Sequence, residues 1–154
     1  MAEQTLQPGI CGEVAWDVER KWCTQRGDWH IFSTPSMVQL VERAAIEALA
    51  PVLGEGQITV GTRVDIQHLA PTLEGMKVRA VATLKAVDGA RLTFDIEVFD
   101  EMVKVGQATH ERFVLDLARY VGRLEKKRAQ LEVARKNPQA GSNKTGQAGD
   151  GQPS

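Results

Sequence analysis

Three side chains in the 154-residue sequence are of the types that together perform nucleophilic and acid/base chemistry: the hydroxyl of Thr34, the carboxylate of Glu42 and the imidazole of His68. A hydroxyl at a helix start sits where backbone N–H groups and the positive end of the dipole stabilise an oxyanion. A carboxylate beside an apolar face either attacks an electrophilic carbon or draws a proton from water. An imidazole carries protons near neutral pH. Each also has an ordinary structural role. Thr34 reads as a helix N-cap, Glu42 as the partner of Arg63, Arg43 or another basic residue, and His68 as a hydrogen-bonded core histidine. Gly61 marks either a bulge, a bend in a curved sheet or the close approach of a ligand. Arg112, in the polar run Thr109-His110-Glu111-Arg112, suits a carboxylate, a phosphate or an internal ion pair.

The elements that must position these residues are legible from periodicity. Ser33-Thr34-Pro35 starts a helix, with Thr34 as the expected cap, that runs to about Ala50 and stops at Pro51. At 100° per residue, Met37, Leu40, Val41, Ala44, Ala45, Ala48 and Leu49 share a wide apolar face opposite Gln39, Arg43 and Glu47. Glu42 falls at its border, and a helix this apolar is expected to pack deep against a sheet.

From Gln57 the period becomes two. Ile58, Val60, Thr62, Val64, Ile66 and His68 are expected on one face of a strand that ends before Pro71, so His68 should point at the helix and meet Glu42. Gly12 to Val18 reads as an earlier strand. Met76 to Val87 leads through the hairpin signal Asp88-Gly89 into Arg91–Asp100, with Leu92, Phe94, Ile96 and Val98 inward, and Val103 to Asp116 follows. Glu19 to Phe32, with Trp22, Trp29 and His30, reads as a loop or short helix that covers a pocket or plugs a core edge. One helix followed by four strands on short connections argues for an α+β domain, a single antiparallel sheet curled around the helix.

The remainder bounds the function by exclusion. A formal net charge of −1 gives no global attraction to nucleic acid or an anionic membrane. The opening residues lack a basic and an apolar region, so a cytoplasmic location is expected. Cys11 and Cys23 lack metal-ligand spacing and are expected to be reduced, with Cys23 the one that could be reactive. The sequence has no GxGxxG after a strand, no P-loop, no GxSxG elbow, no HExxH and no paired CxxC, so nicotinamide, nucleoside triphosphate, serine-hydrolase and zinc chemistries lack their anchors. After Leu117 a second helix carries Tyr120, Val121, Leu124 and Leu131 among basic residues whose charge reads as a solvated face. The tail after it is too polar to order. The organisation expected is an N-terminal arm over 1–11, one domain over 12–117, a basic helix over 118–136 and a disordered tail over 137–154.

From Gly12 to Arg119 these residues resemble the fluoroacetyl-CoA thioesterase-like branch of the hot-dog fold. The resemblance runs through Phe32-Ser33-Thr34-Pro35, Glu42, Thr59-Val60-Gly61-Thr62, Val64 to Ala70, Val87-Asp88-Gly89 and Thr109-His110-Glu111-Arg112. In that family a threonine, a glutamate eight residues on and a histidine twenty-six beyond make the catalytic set, a spacing that Thr34, Glu42 and His68 reproduce. The family's glycine near the acyl group and its arginine fall on Gly61 and Arg112. The resemblance implies a hot-dog fold, hydrolysis of a small acyl-CoA without metal or resident cofactor, and a homodimer with active sites near the subunit interface. It does not carry the fluorinated substrate. Two other readings stand beside it: an acyl-CoA or small-ligand binding module without turnover, and a hydratase, disfavoured because Asp65 and His68 face opposite sides of their strand.

Overall fold

A computed structural model describes residues 5–138 and divides the chain into two compact units, Met1–Asp116 and Leu117–Ser154. The first is a hot-dog fold. Its five-stranded antiparallel sheet has the order β1 (Cys11–Asp17), β5 (Lys77–Asp88), β6 (Arg91–Asp100), β7 (Lys104–Asp116), β4 (Gln57–His68), and it curls around one helix, α1 (Thr34–Leu49).

The helix buries the face its periodicity specifies. Met37, Leu40, Val41, Ala44, Ala45, Ala48 and Leu49 are almost fully buried against Val78, Ala80, Ala82 and Leu84 of β5 and Leu92, Phe94, Ile96 and Val98 of β6. Alanines on the helix let the sheet come close. At Gly12 the approach is so tight that a Cβ would overlap the Ala48 backbone and lie 2.6 Å from the Ala44 carbonyl oxygen.

Two local expectations are corrected. Ser33, not Thr34, caps α1: its side chain accepts from the Ser36 N–H at 3.3 Å, and Thr34 is the first helical residue. Residues 19–32 are not an open loop. A short 3-10 turn (Arg20–Trp22) leads into a two-stranded hairpin, β2 (Cys23–Arg26) and β3 (Trp29–Phe32), turning at Gly27 with φ +57°. Trp22 stacks on Trp16 at 5.0 Å and plugs the core edge, whereas Trp29 is 64% exposed. Phe32 N–H donates to the Thr72 carbonyl and Glu74 N–H to that of His30, fastening the hairpin to the segment before β5.

The third correction concerns β4. Pairing with β7 shifts register between Gly61 and Arg63, a β-bulge. Residues opposite one another point to the same side of a sheet. Val64, Ile66 and His68 lie opposite His110, Ala108 and Gly106, on the inner side. Beyond the bulge it is Thr59 and Gly61 that lie opposite Val114 and Arg112. The extra residue therefore turns Ile58, Val60 and Thr62 away from the His68 face, contrary to unbroken alternation.

The second unit is described by α2 (Leu117–Lys136), which has no buried residue and ends on Arg135 and Lys136, charges that suit a helix C-terminus. Most of the expected tail lies outside the described residues. Among the described residues no helix is long and apolar enough to cross a membrane.

Candidate active site

The five residues singled out by type and spacing fall into two clusters on one side of the sheet. At the start of α1, Thr34 Oγ1 lies 2.8 Å from His68 Nδ1. Because Ser33 has taken the capping role, the Thr34 hydroxyl is free to make this bond. The opposite ring nitrogen, Nε2, is buried without a hydrogen-bond partner. Burial lowers the His68 pKa from 6.5, opposed by the Ala70 backbone, so the ring is neutral at pH 7.

Two turns along the helix, Glu42 Oε2 accepts from Arg112 Nη1 at 3.2 Å. The pair is asymmetric in exposure, with the Arg112 side chain 4% exposed and that of Glu42 38%. Thr59 holds the guanidinium from behind: Nε donates to its hydroxyl at 2.9 Å and Nη2 to its carbonyl at 3.1 Å. Burial pushes the Arg112 pKa down and the Glu42 charge pulls it up; the guanidinium stays protonated. Gly61 is the floor of this cluster. A Cβ there would stand 2.5 Å from Glu42 Oε2 and 3.1 Å from Arg112 Nη1. It is both a bulge and a close approach, and what it approaches is the carboxylate.

Within one chain the imidazole and the carboxylate do not meet, contrary to the expectation from strand alternation. Eight helical positions separate Thr34 from Glu42 by about 12 Å along the axis. Seven strand positions separate Gly61 from His68 by about 20 Å. The ion-pair expectation for Glu42 is met by Arg112 rather than Arg43 or Arg63. Two further residues take part, of which only His110, in the polar run 109–112, stands out by type. Thr59 anchors Arg112, and His110, entirely buried, touches it at 3.1 Å. The available signal was the i, i+2 placement of His110 and Arg112, which puts both on one face of β7.

Other candidates yield little. Cys23 is half-buried, its thiol donates to the Glu19 carbonyl at 3.4 Å, and burial together with the Glu74 charge raises its pKa, which disfavours the reactive thiolate. Among the described residues no three His, Cys, Asp or Glu side chains gather as metal ligands. A crevice of about 390 Å³ lies on the outer sheet face, lined by Asp65, Glu97, Lys104 and Gln107, and none of the five residues lines it.

A helix clasped by a curled five-stranded sheet places the chain in the hot-dog fold, and the hydroxyl and carboxylate on that helix, with an imidazole at the end of β4, are groups of the kind that thioester hydrolysis uses. Residues 17–118 match the model of the fluoroacetyl-CoA-specific thioesterase family, and the chain belongs to that family. It is 35% identical over 97 residues to the fluoroacetyl-CoA thioesterase of Streptantibioticus cattleyicolor, a stretch covering 63% of this chain and 70% of that protein. The solved structure of the fluoroacetyl-CoA thioesterase FlK superposes with a TM-score of 0.74 at 27% identity, covering 80% of this chain and 98% of that one. A thioesterase superfamily member from Thermus thermophilus, 24% identical, shares the fold with a TM-score of 0.78 over 84% of this chain and 98% of its own.

Proposed function

We propose that the protein hydrolyses a small acyl-CoA to the free acid and CoA, with Thr34, Glu42 and His68 as its catalytic set and Gly61 and Arg112 placing Glu42. The observation that carries this reading is the arginine-held carboxylate of Glu42 lying over a glycine, half open to solvent, in a chain of this family. A point mutant of FlK has been solved in complex with fluoroacetate and CoA, which supports a CoA thioester as the substrate class. CoA enters as part of the substrate rather than as a resident cofactor.

Because the two clusters lie far apart in one chain, the working site is composed from two copies. Among the described residues β4 is a twelve-residue edge strand with β7 as its only neighbour, and an edge of that length is a template for pairing. Antiparallel pairing of β4 with itself about residues 64 and 65 sets Gly61 of one copy beside His68 of the other. Glu42 and Arg112 then face Thr34 and His68 across the interface of a homodimer.

In that site the thioester carbonyl lies near the start of α1, where the Thr34 hydroxyl and the helix N–H groups hold its oxygen. Glu42 attacks the carbonyl carbon directly or takes a proton from the water that does. His68 relays the proton through Nδ1 and Thr34. By either route the C–S bond breaks and the thiolate leaves and is protonated; where Glu42 attacks, water then cleaves the resulting acyl–Glu42 anhydride and regenerates the carboxylate, and where water attacks the acid forms directly, so that a water oxygen ends in the acid. Thiolate is a good leaving group, so oxyanion stabilisation and orientation carry most of the acceleration.

The test is thiol release from a panel of acyl-CoAs graded by chain length and polarity, fluoroacetyl-CoA included. Release that Glu42→Gln and His68→Ala each abolish is expected. Mixing those two inactive variants in equal amounts, with free subunit exchange, should restore about a quarter of the wild-type activity, since about half of the dimers are mixed and each of those holds one site of its two with both good halves. No release from any acyl-CoA would reject the activity, and no recovery on mixing would reject the shared site.

A further inference from the structure

Besides the residues assigned above, the Glu42 cluster contains one fully buried titratable side chain, that of His110 on the inner face of β7. Its ring makes two hydrogen bonds whose direction is fixed by the partners. A main-chain carbonyl only accepts, so Nδ1 carries a proton and donates to the Arg63 carbonyl at 2.8 Å. A guanidinium only donates, so Nε2 accepts from Arg112 Nη1 at 3.1 Å. Both contacts require the same neutral tautomer. Nη1 has two hydrogens, and its other one is directed at Glu42 Oε2. With Thr59 engaging Nε and Nη2, the guanidinium is fixed on three of its nitrogens. Arg63 is also where pairing with β7 resumes after the bulge, so one imidazole ties together the bulge that brings Gly61 inward and the arginine that holds the carboxylate.

We propose that His110 is a positioning residue: as its neutral Nδ1–H tautomer it fixes the orientation of Arg112 and, through it, the place of the Glu42 carboxylate. This rests on the reading of Glu42 as the reacting carboxylate.

The groups around the ring determine its response to acid. From β4 it faces the Arg63 carbonyl; from β7, Arg112 and Glu111; from α1, Glu42; from β6, the Phe94 ring at 6.4 Å. Burial and the Arg112 charge disfavour a second proton, while the carbonyl and the two carboxylates favour it, and the balance lies below 6.5. A proton forced onto Nε2 would set N–H against N–H and charge against charge. Arg112 would turn away and release Glu42.

The test begins with the full-length protein labelled with nitrogen-15 in histidine, its His110 ring assigned by the signals lost in His110→Gln. Long-range proton–nitrogen spectra at pH 7.5 should show a protonated Nδ1 and a bare Nε2. Kinetically, His110→Phe should lower kcat by about 10- to 100-fold, the loss expected of a reacting group displaced by about an ångström, with KM changed less than about two-fold. His110→Gln, whose amide oxygen restores an acceptor toward Arg112, should recover several-fold of that loss. An Nε2–H or cationic ring at pH 7.5 would overturn the proposal, as would a phenylalanine variant as active as wild type or a glutamine variant no better than it. If His110→Phe does not fold, the wild-type tautomer and the His110→Gln kinetics decide. Full turnover in Glu42→Gln would instead overturn the reading of Glu42, leaving the tautomer measurement intact.

Discussion

Glu42 and Arg112 meet at 3.2 Å across the space left by a missing side chain: a Cβ on Gly61 would stand 2.5 Å from the carboxylate oxygen that Arg112 holds. Helix and strand can exchange this contact only because residue 61 is glycine and because the bulge turns it inward. The arginine is sealed in and the carboxylate is left partly open, so the pair presents one oriented carboxylate to solvent.

Gly61→Ala should therefore act on the carboxylate before it acts on the fold. The methyl group would meet Glu42 Oε2, Arg112 Nη1 and His110 Cε1 within 3.2 Å, and the half-exposed Glu42 is the group freest to yield. A loss of about 100-fold in kcat/KM, the scale of an ångström's displacement of a reacting group, is expected with a destabilisation of about 1–3 kcal/mol for overpacking. Steady-state kinetics and thermal melts of the same preparation check both figures. Unchanged activity would mean that the Glu42 position is not critical.

Glu42→Gln and Arg112→Met should separate charge from architecture. The amide of the first still accepts from Nη1, so stability should change by no more than about 1 kcal/mol, while losing the proposed base or nucleophile should cost about 10²- to 10⁴-fold in kcat. The second removes a buried cation with bonds to Thr59, Glu42 and His110. Breaking a fully buried pair costs about 3–5 kcal/mol, and the exposure of Glu42 to solvent reduces this to about 1–3 kcal/mol. Chemical denaturation of the two variants gives the comparison.

How much of this was legible in the sequence differs by element. The buried face of α1 and the inward residues of β6 follow from periodicity alone, because a helix against a sheet and a strand under a helix each expose one unambiguous stripe. The five-strand sheet follows from the order of the elements, and the places of Thr34 and Glu42 two turns apart on α1 follow from their spacing. The face assignment of β4 failed at one residue: a bulge is an insertion in pairing, and pairing depends on β7, some fifty residues away. The hairpin over 23–32 was hidden because its strands are only four residues long and show no alternation: β2 is largely polar, β3 reads Trp-His-Ile-Phe, and bonds to Thr72 and Glu74 add to the burial of Phe32 in holding it. Thr34 and Ser33 are equally good caps by type, and only the Ser36 N–H decides between them. The separation of His68 from Glu42 follows from the antiparallel run of α1 and β4, which a one-dimensional spacing does not encode.

Gly12→Ala tests the closeness of sheet and helix away from the site. Glycine is needed here for space, since a methyl group would drive into the Ala44 and Ala48 backbone, which unlike a side chain cannot rotate aside. β1 would have to lift from α1 or slip. A destabilisation of at least about 1–3 kcal/mol is expected, read as a lower melting temperature, with residual kcat per folded molecule little changed because Gly12 packs near the C-terminal end of α1, away from Thr34 and Glu42.

The two inward histidines predict the direction of acid sensitivity. Burial lowers the pKa of both His68 and His110 below 6.5, the value each regains in the unfolded chain. Between the folded and unfolded values the unfolded state binds more protons, so stability rises with pH through that window and is lost as pH falls below about 6.5. Each histidine contributes at most about 1.4 kcal/mol per pH unit while the pH stays within its window. Activity should follow the same side: the proposed relay requires a neutral His68, so kcat/KM should fall on an acid limb whose midpoint lies below 6.5. Replacing His110 with Gln should reduce the acid loss of stability and remove that residue's share of the acid limb of activity, while the share set by His68 remains. Urea denaturation between pH 5 and 8, alongside a kcat/KM profile over the same range, measures both. Stability that increased toward pH 5 would contradict the burial of these two rings as neutral groups.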